Sequence, residues 1–201
     1  MSALKVLACV LCLWSAGSAN AASTDPNIAV VEKFHGALIE TMKQGQALGI
    51  EGRYKKLEIS VDAAFDLPAM TKFAVGPAWS TMSDDDHKSL ITAFRRMTVA
   101  SYARNFDEFK GQLFSVDPKV EIRGADTLVK SQIIPQGQKP VNLVYRMRET
   151  GGAPKFIDVI YEYVSQIATK RADFASTIKS GGAPALVKKL NEISGKLMTS
   201  S

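Results

Sequence analysis

The sequence predicts an α+β fold: helices first, then a four-stranded antiparallel sheet, then two more helices. Three observations carry this. Between Thr127 and Gln166, three runs alternate at a spacing of two, separated by Pro135-Gln136-Gly137-Gln138 and by Gly151-Gly152-Ala153-Pro154. That pattern marks an antiparallel meander. Upstream, from about residue 26 to 110, apolar residues recur every three or four positions, and after Gln166 this helical period returns. A sheet with one apolar face needs a cover, which the helical segments supply.

A secretory signal precedes the first element. Met1 to Lys5 is short and positive, Val6 to Trp14 is apolar, and Ala19-Asn20-Ala21 satisfies the small-x-small cleavage rule. The apolar run is too short to span a bilayer as a helix. Residues 1–21 thus read as a cleaved signal and 22–201 as a single domain, with a retained anchor as the alternative. Both cysteines, Cys9 and Cys12, fall inside the signal. A mature chain without thiols excludes disulfides, thiolate nucleophiles and cysteine-ligated metals. Export without disulfides suits a bacterial periplasm. Net charge is +5, falling to +4 with the loss of Lys5. The charges are spread along the chain as a solvated surface, with no nucleic-acid module among them.

Asp25-Pro26 opens a helix to about Leu48, with Asp25 as cap and Pro26 in the first turn. Val31, Phe34, Leu38 and Met42 share its apolar face, and Gly49 and Gly52 end it. A shorter helix is expected over Arg53 to Ala64, and another from Asp66 or Leu67 to Val75, stopped by Gly76-Pro77. The longest helix starts at Ser83. Ser83 and Asp86 form a capping box, while Asp84 and Asp85 place negative charge at the positive dipole end. Leu90, Phe94, Met97, Tyr102, Phe106 and Phe109 make a broad apolar stripe to about Lys110. Lys119 to Arg123 is a short strand, and the meander completes a sheet over about 113–166, its last run being Phe156 to Val164. Arg171 to Lys179 forms a helix ending at Gly181-Gly182. Pro184 starts a final one, striped by Leu186, Leu190, Ile193 and Leu197, so that the C-terminal pair covers about 169–198.

The catalytic inventory is thin. His35 lies beside the stripe of the first helix and His87 in the first turn of the long one, neither with a third ligand at metal spacing. The aspartates at 84–86 are accounted for by a helix start. No phosphate loop, dinucleotide fingerprint or nucleophile elbow occurs. Asp158, inside an apolar strand, is the most enzyme-like feature. If buried beside Tyr145, it could move protons on a hydrophobic substrate. Alternation favours another reading: with Val159 and Tyr161 inward, Asp158 points outward as a surface carboxylate paired with Arg146. No cofactor, metal or nucleic-acid partner is expected.

Ordered motifs then point to a family. Phe65-Asp66-Leu67-Pro68-Ala69-Met70, followed by Ala74-Val75-Gly76 and Trp79, resembles a segment of the MlaC family, the toluene-tolerance auxiliary proteins of bacterial lipid-trafficking ABC systems. Ser101-Tyr102-Ala103 resembles the late "TYA" element of that family's long helix. Gly137-Gln138-Lys139-Pro140 with Tyr145-Arg146-Met147-Arg148 resembles its "GGKP…YRLR" hairpin. Asp158-Val159, Val164-Ser165, Arg171-Ala172-Asp173-Phe174 and Gly181-Gly182 are similar to "YDV…GVS…YRSQF…GG". The run Val164-Ser165-Gln166-Ile167-Ala168 is most similar to the hopanoid-associated branch, HpnM. Two departures stand out. Pro154-Lys155-Phe156 replace a common Trp, and Tyr163 stands where the family has Gly.

The resemblance implies a periplasmic, non-catalytic lipid carrier with a curved sheet related to the NTF2-like cone and a lipid pocket between sheet and helices. Its cargo would be phospholipid or a hopanoid-type lipid. Its partners would be an inner-membrane MCE-type ABC complex or an RND-type exporter, and an outer-membrane lipoprotein–porin component, with the chain itself a monomer. Candidate lipid-binding residues are Val129, Ile133, Val141, Leu143, Tyr145, Met147, Val159 and Tyr161 on the sheet. Phe73, Phe94, Met97, Phe106 and Phe174 face them from the helices. The same side chains would equally fill a dry core. Two other functions stay open: a transporter adaptor with a filled core, and an NTF2-like enzyme acting on an isoprenoid through Asp158 and Tyr145.

Overall fold

A computed structural model describes residues 25–199; the predicted signal at 1–21 lies outside the described residues. Asp25 caps α1 (Pro26–Lys43), its carboxylate accepting from the Asn27 N–H at 2.8 Å. Ile28, Val31, Phe34, Leu38 and Met42 turn inward at helical spacing. The helix stops at Lys43, short of the expected Leu48, because the chain must pass the loop after the long helix. A Cβ at Gly45 would lie 1.6 Å from the Asp107 carbonyl oxygen. Accordingly α2 (Gly45–Ala64) begins well before the expected Arg53, with its break at Gly49, where φ is +58°. Arg53 is buried, with no carboxylate paired to it among the described residues. Its guanidinium donates to the carbonyls of Ala103 and Gly45 at 2.8 and 2.7 Å.

Asp66 caps α3 (Leu67–Val75) by accepting from the Ala69 N–H at 2.9 Å. Gly76-Pro77 ends that helix, and the chain continues as a 3-10 segment, Gly76–Thr81. The capping box forms: Ser83 Oγ accepts from the Asp86 N–H, and the Asp86 carboxylate accepts from the Ser83 N–H, both at 3.1 Å. It starts α4 (Asp84–Asn105), which ends five residues before the expected Lys110. His87 stacks on Trp79 with ring centroids 3.9 Å apart, which fixes the 3-10 segment against α4. Among the described residues, no group of three or more His, Cys, Asp or Glu is placed to hold a metal ion.

The sheet has five strands, not four, in the order β1-β2-β3-β4-β5, all antiparallel. They are β1 (Leu113–Arg123), β2 (Asp126–Ile134), β3 (Val141–Thr150), β4 (Ala153–Tyr161) and β5 (Val164–Ser165). The extra strand arises because the run expected to continue from Phe156 to Val164 folds back at Glu162-Tyr163. Both residues have positive φ, +43° and +68°. No Gly, Pro or Asn marks that turn. Strand β1 is longer than expected and shifts register between Val116 and Val120, with a second irregularity between Arg146 and Met147. Such irregularities bend and twist a sheet locally.

The two expected C-terminal helices follow each other without a loop as α5 (Gln166–Thr199), which kinks at Gly181 and Gly182, where the backbone is non-helical and Gly182 has a φ of +61°. The first begins at Gln166, before the expected Arg171. Helix α1 lies over β1, β2 and β4, α3 and α5 pack on β4, and α4 packs on α2 and α5. The joint between α2 and α3 is tied directly to the sheet, where the Asp66 N–H donates to the Phe156 carbonyl at 2.9 Å. No helix among the described residues is long and apolar enough to cross a membrane.

Two contrasts follow from the glycines and their neighbours. Gly45→Ala should lower unfolding free energy by about 2–3 kcal/mol through backbone overlap. Gly36→Ala, at an exposed α1 site with nothing within 4 Å, should raise it by up to about 1 kcal/mol. Tyr163→Gly, which relieves a left-handed tyrosine, should stabilise by about 1 kcal/mol. Urea denaturation of the three variants checks all of this.

Candidate functional site

Between α4, the start of α5 and the inner face of the sheet lies a cavity of about 420 Å³. Its sheet wall is Ile133 from β2, Leu143 and Tyr145 from β3, and Val159 and Tyr161 from β4. The period of two sends these side chains to one face. The opposite wall is α4, whose Phe94, Met97, Thr98, Ser101 and Asn105 recur at three and four residues and so share one side of the helix. Phe106 extends this wall past the helix end, and Phe65 and Met70 close it from the α2–α3 region. Gln166, Ile167 and Lys170 border the cavity from α5. The lining is mainly apolar, and the exposed Asn105 and Tyr161 mark its mouth.

Eight of the residues expected from the sequence therefore meet around this space: Phe94, Met97, Phe106, Ile133, Leu143, Tyr145, Val159 and Tyr161. Five do not line it. Val129 and Met147 are wholly buried core, and Phe174 is core on α5. Val141 lies half-buried opposite Ile133. Phe73 is held at the periphery, with the Arg148 guanidinium 5.8 Å from its ring centroid and its carbonyl accepting from Arg171 Nε at 2.7 Å. Sequence reasoning missed Phe65, Met70, Tyr102 and Ile167, and the polar lining residues Thr98, Ser101, Asn105, Gln166 and Lys170. A signal for the α4 group was present: Thr98, Ser101 and Asn105 interrupt the inner face of a helix whose neighbours are Phe and Met.

Asp158 is neither an exposed surface carboxylate nor a partner of Arg146. It is buried, and it accepts from Ser165 Oγ at 2.5 Å and from the Ile167 N–H at 3.1 Å, so it caps the start of α5. Although Arg146 sits opposite it in register, Arg146 Nε and Arg148 Nε donate instead to the buried Asp126 carboxylate, both at 2.6 Å. Burial works to raise the Asp126 carboxyl, but the Arg148 and Arg146 hydrogen bonds outweigh it and hold it below the ordinary carboxylate range.

Tyr145 is engaged as well. Its hydroxyl lies 2.9 Å from His35 Nε2, and the His35 ring stacks on Phe114 at 4.2 Å. His35 Nδ1 and Ser131 Oγ are buried without a partner among the described residues. Burial pushes the His35 imidazole down to about 4. Burial, reinforced by Tyr102, pushes the Tyr145 phenol well above its usual value. The pair is therefore neutral at pH 7, and it brings no charge to the cavity wall. A broader depression of about 630 Å³ lies at the β1 register shift, edged by Asp117, Lys130, Gln132 and Asn142. Its charged and amide edges make it the poorer fit for an apolar ligand, despite its size.

Residues 32–192 match the MlaC protein family. The chain belongs to that family. Its structure is also similar to the phospholipid-binding protein from Ralstonia solanacearum, solved at 1.53 Å in complex with a phospholipid, with a TM-score of 0.76. The match covers 86% of this chain and 99% of that one at 21% identity, which is a likeness of fold. The open antiparallel sheet under helices is thus an arrangement like that of the Ralstonia solanacearum protein.

In this MlaC chain, the burial of His35 should make stability sensitive to acid. The unfolded imidazole titrates near 6.5 and the folded one at about 4, so between those values the unfolded state binds the extra proton. The stabilisation is full above about pH 6.5 and is lost as pH falls through 4, on the order of 3 kcal/mol in all. His35→Gln should flatten that slope, leaving the Asp126 contribution at lower pH, as denaturant titrations from pH 7 to 3.5 would reveal.

Proposed function

We propose that this chain is a periplasmic lipid-binding shuttle, exported by the signal at residues 1–21 and acting as a monomer through a single domain over 22–201. It would carry phospholipid or a hopanoid-type lipid between inner and outer membranes. The partners consistent with the sequence resemblance are an inner-membrane MCE-type ABC complex, or an RND-type exporter if the chain is of the HpnM branch, and an outer-membrane lipoprotein–porin component. The observation that carries this reading is the apolar cavity between sheet and helices. Membership in the MlaC family and the phospholipid held by the Ralstonia solanacearum protein of like fold support it.

The energetics agree with a carrier. An acyl chain of about sixteen methylenes loses roughly 13 kcal/mol of hydrophobic stabilisation when drawn into water, at about 0.8 kcal/mol per methylene. A carrier must return nearly that amount and still release its cargo to a bilayer. At about 30 Å³ for each water-sized group, the 420 Å³ cavity takes about fourteen such groups, or most of one acyl chain. Phe and Met walls adapt to chains of different length better than a polar site with fixed hydrogen bonds.

The competing readings fare less well. An adaptor with a filled core has no use for this cavity. An enzyme using Asp158 and Tyr145 would need both groups at the substrate, yet the carboxylate is spent on the start of α5 and the phenol on His35.

Native mass spectrometry of the gently purified protein, followed by lipid extraction, tests the proposal; absence of lipid together with no uptake from vesicles would sink it. Val159→Trp and Ile133→Trp grow into the cavity from the sheet. Each should cut lipid occupancy by roughly tenfold or more, while far-ultraviolet circular dichroism stays that of the parent. Unchanged occupancy in both would show that lipid lies elsewhere.

A further inference from the structure

The cavity wall is uneven in polarity. Its sheet side is aliphatic and aromatic, whereas the seam between α4 and α5 carries Thr98, Ser101 and Asn105 on one helix and Gln166 and Lys170 on the other. Lys170 is the one charged side chain along the wall among the described residues, and no carboxylate lines it. The Thr98 and Ser101 hydroxyls donate to the helix carbonyls of Phe94 and Met97 at 2.8 Å each, so their lone pairs are left to accept. Gln166 donates to the Val164 carbonyl at 3.3 Å. Asn105 and Lys170 are tied down by no hydrogen bond or ion pair among the described residues. Two uncommitted donors thus sit beside a mouth that leads into apolar space.

We infer that Lys170, aided by the Asn105 amide, holds the phosphate oxygens of the lipid headgroup at the cavity mouth, so that the protein selects phosphate-bearing lipids over lipids whose polar end carries only hydroxyls. This rests on the lipid-binding reading and sharpens it to a class of cargo. The chemistry is direct. An ammonium that donates to an anionic oxygen at the edge of a low-dielectric space forms a stronger bond than two neutral groups would. Burial already works against the ammonium, lowering Lys170 from its ordinary value, with Asp173 one turn along opposing the shift. A phosphate at the mouth would supply the countercharge that the wall itself lacks. A hydroxylated headgroup would add no such charge, leaving the ammonium only Asp173, which lies outside the cavity wall.

The test uses vesicles containing equal parts of phosphatidylglycerol, phosphatidylcholine and diacylglycerol of identical acyl chains, with captured lipid quantified by mass spectrometry. The wild-type protein should capture both phospholipids over diacylglycerol by roughly tenfold or more. Phosphatidylcholine should be taken almost as well as phosphatidylglycerol, because the contact is to the phosphate and not to net charge. Lys170→Gln should bring that ratio near unity by losing phospholipid while keeping diacylglycerol, and Lys170→Arg should retain the preference. A wild-type protein that takes all three lipids equally, that ranks phosphatidylcholine with diacylglycerol, or whose preference survives Lys170→Gln would overturn the inference while leaving lipid binding intact. A wild-type protein that captures none of the three would instead remove the lipid-binding reading itself. Asn105→Ala, at the exposed rim, should lower the same ratio, and an unchanged ratio there would overturn the inference even if the glutamine variant fails to fold.

Discussion

Four aromatic rings from separate parts of the chain meet near the cavity, and they tie α1, the α2–α3 joint and α4 to the sheet. Phe34 of α1, Phe65 at the α2–α3 joint, Tyr102 of α4 and Phe156 of β4 contact one another edge to face, with centroids 5.0–5.6 Å apart. Each such pair contributes on the order of 0.5–1.5 kcal/mol beyond the area it buries. Tyr145 adds a further contact to Phe156 at 4.6 Å. Phe65 and Tyr102 also line the cavity, whereas Phe34 and Phe156 belong to the packed core. The cluster anchors the helical cover firmly at one side of the cavity, so the other side can stay unfilled without collapse.

An unfilled apolar space costs dispersion contacts along its whole lining. This protein offsets that with charge pairing and capping, most of it placed away from the cavity. Asp126 is gripped by two arginines on the outer side of the meander, and Arg53 ties Gly45 at the start of α2 to Ala103 near the end of α4. Asp158 and Ser165 cap the start of α5, which borders the cavity. The buried carboxylate that looked most like chemistry is there to fix a wall in position.

What the sequence showed, and what it hid, divides by whether a feature is periodic. Helix starts at Asp25, Asp66 and Ser83 were legible because a cap is a local matter of one side chain and the next turn. The meander was legible because alternation and Gly/Pro turns repeat. The turn at Glu162-Tyr163 was hidden because neither residue type favours a left-handed backbone; only comparison with a pattern bearing Gly at that position hints at it. Burial of Asp158 was hidden because alternation says which face a strand residue takes but not what later covers that face. For the cavity, the stripe of Phe and Met on α4 was plain, yet an apolar stripe does not say whether the facing wall touches it. That depends on how far the bulged sheet curves away, which is a property of five strands together.

The register shift in β1 also bears on how the protein behaves in company. As the outermost strand of an open sheet, β1 presents a row of backbone donors and acceptors to any passing chain. The shift between Val116 and Val120 interrupts that row at Asp117-Pro118-Lys119, where proline has no N–H and the flanking residues are charged. A second copy could pair along a few residues on either side, but not along a ladder long enough to hold. The irregularity that interrupts pairing in β1 thus also discourages fibre-like stacking of molecules edge to edge.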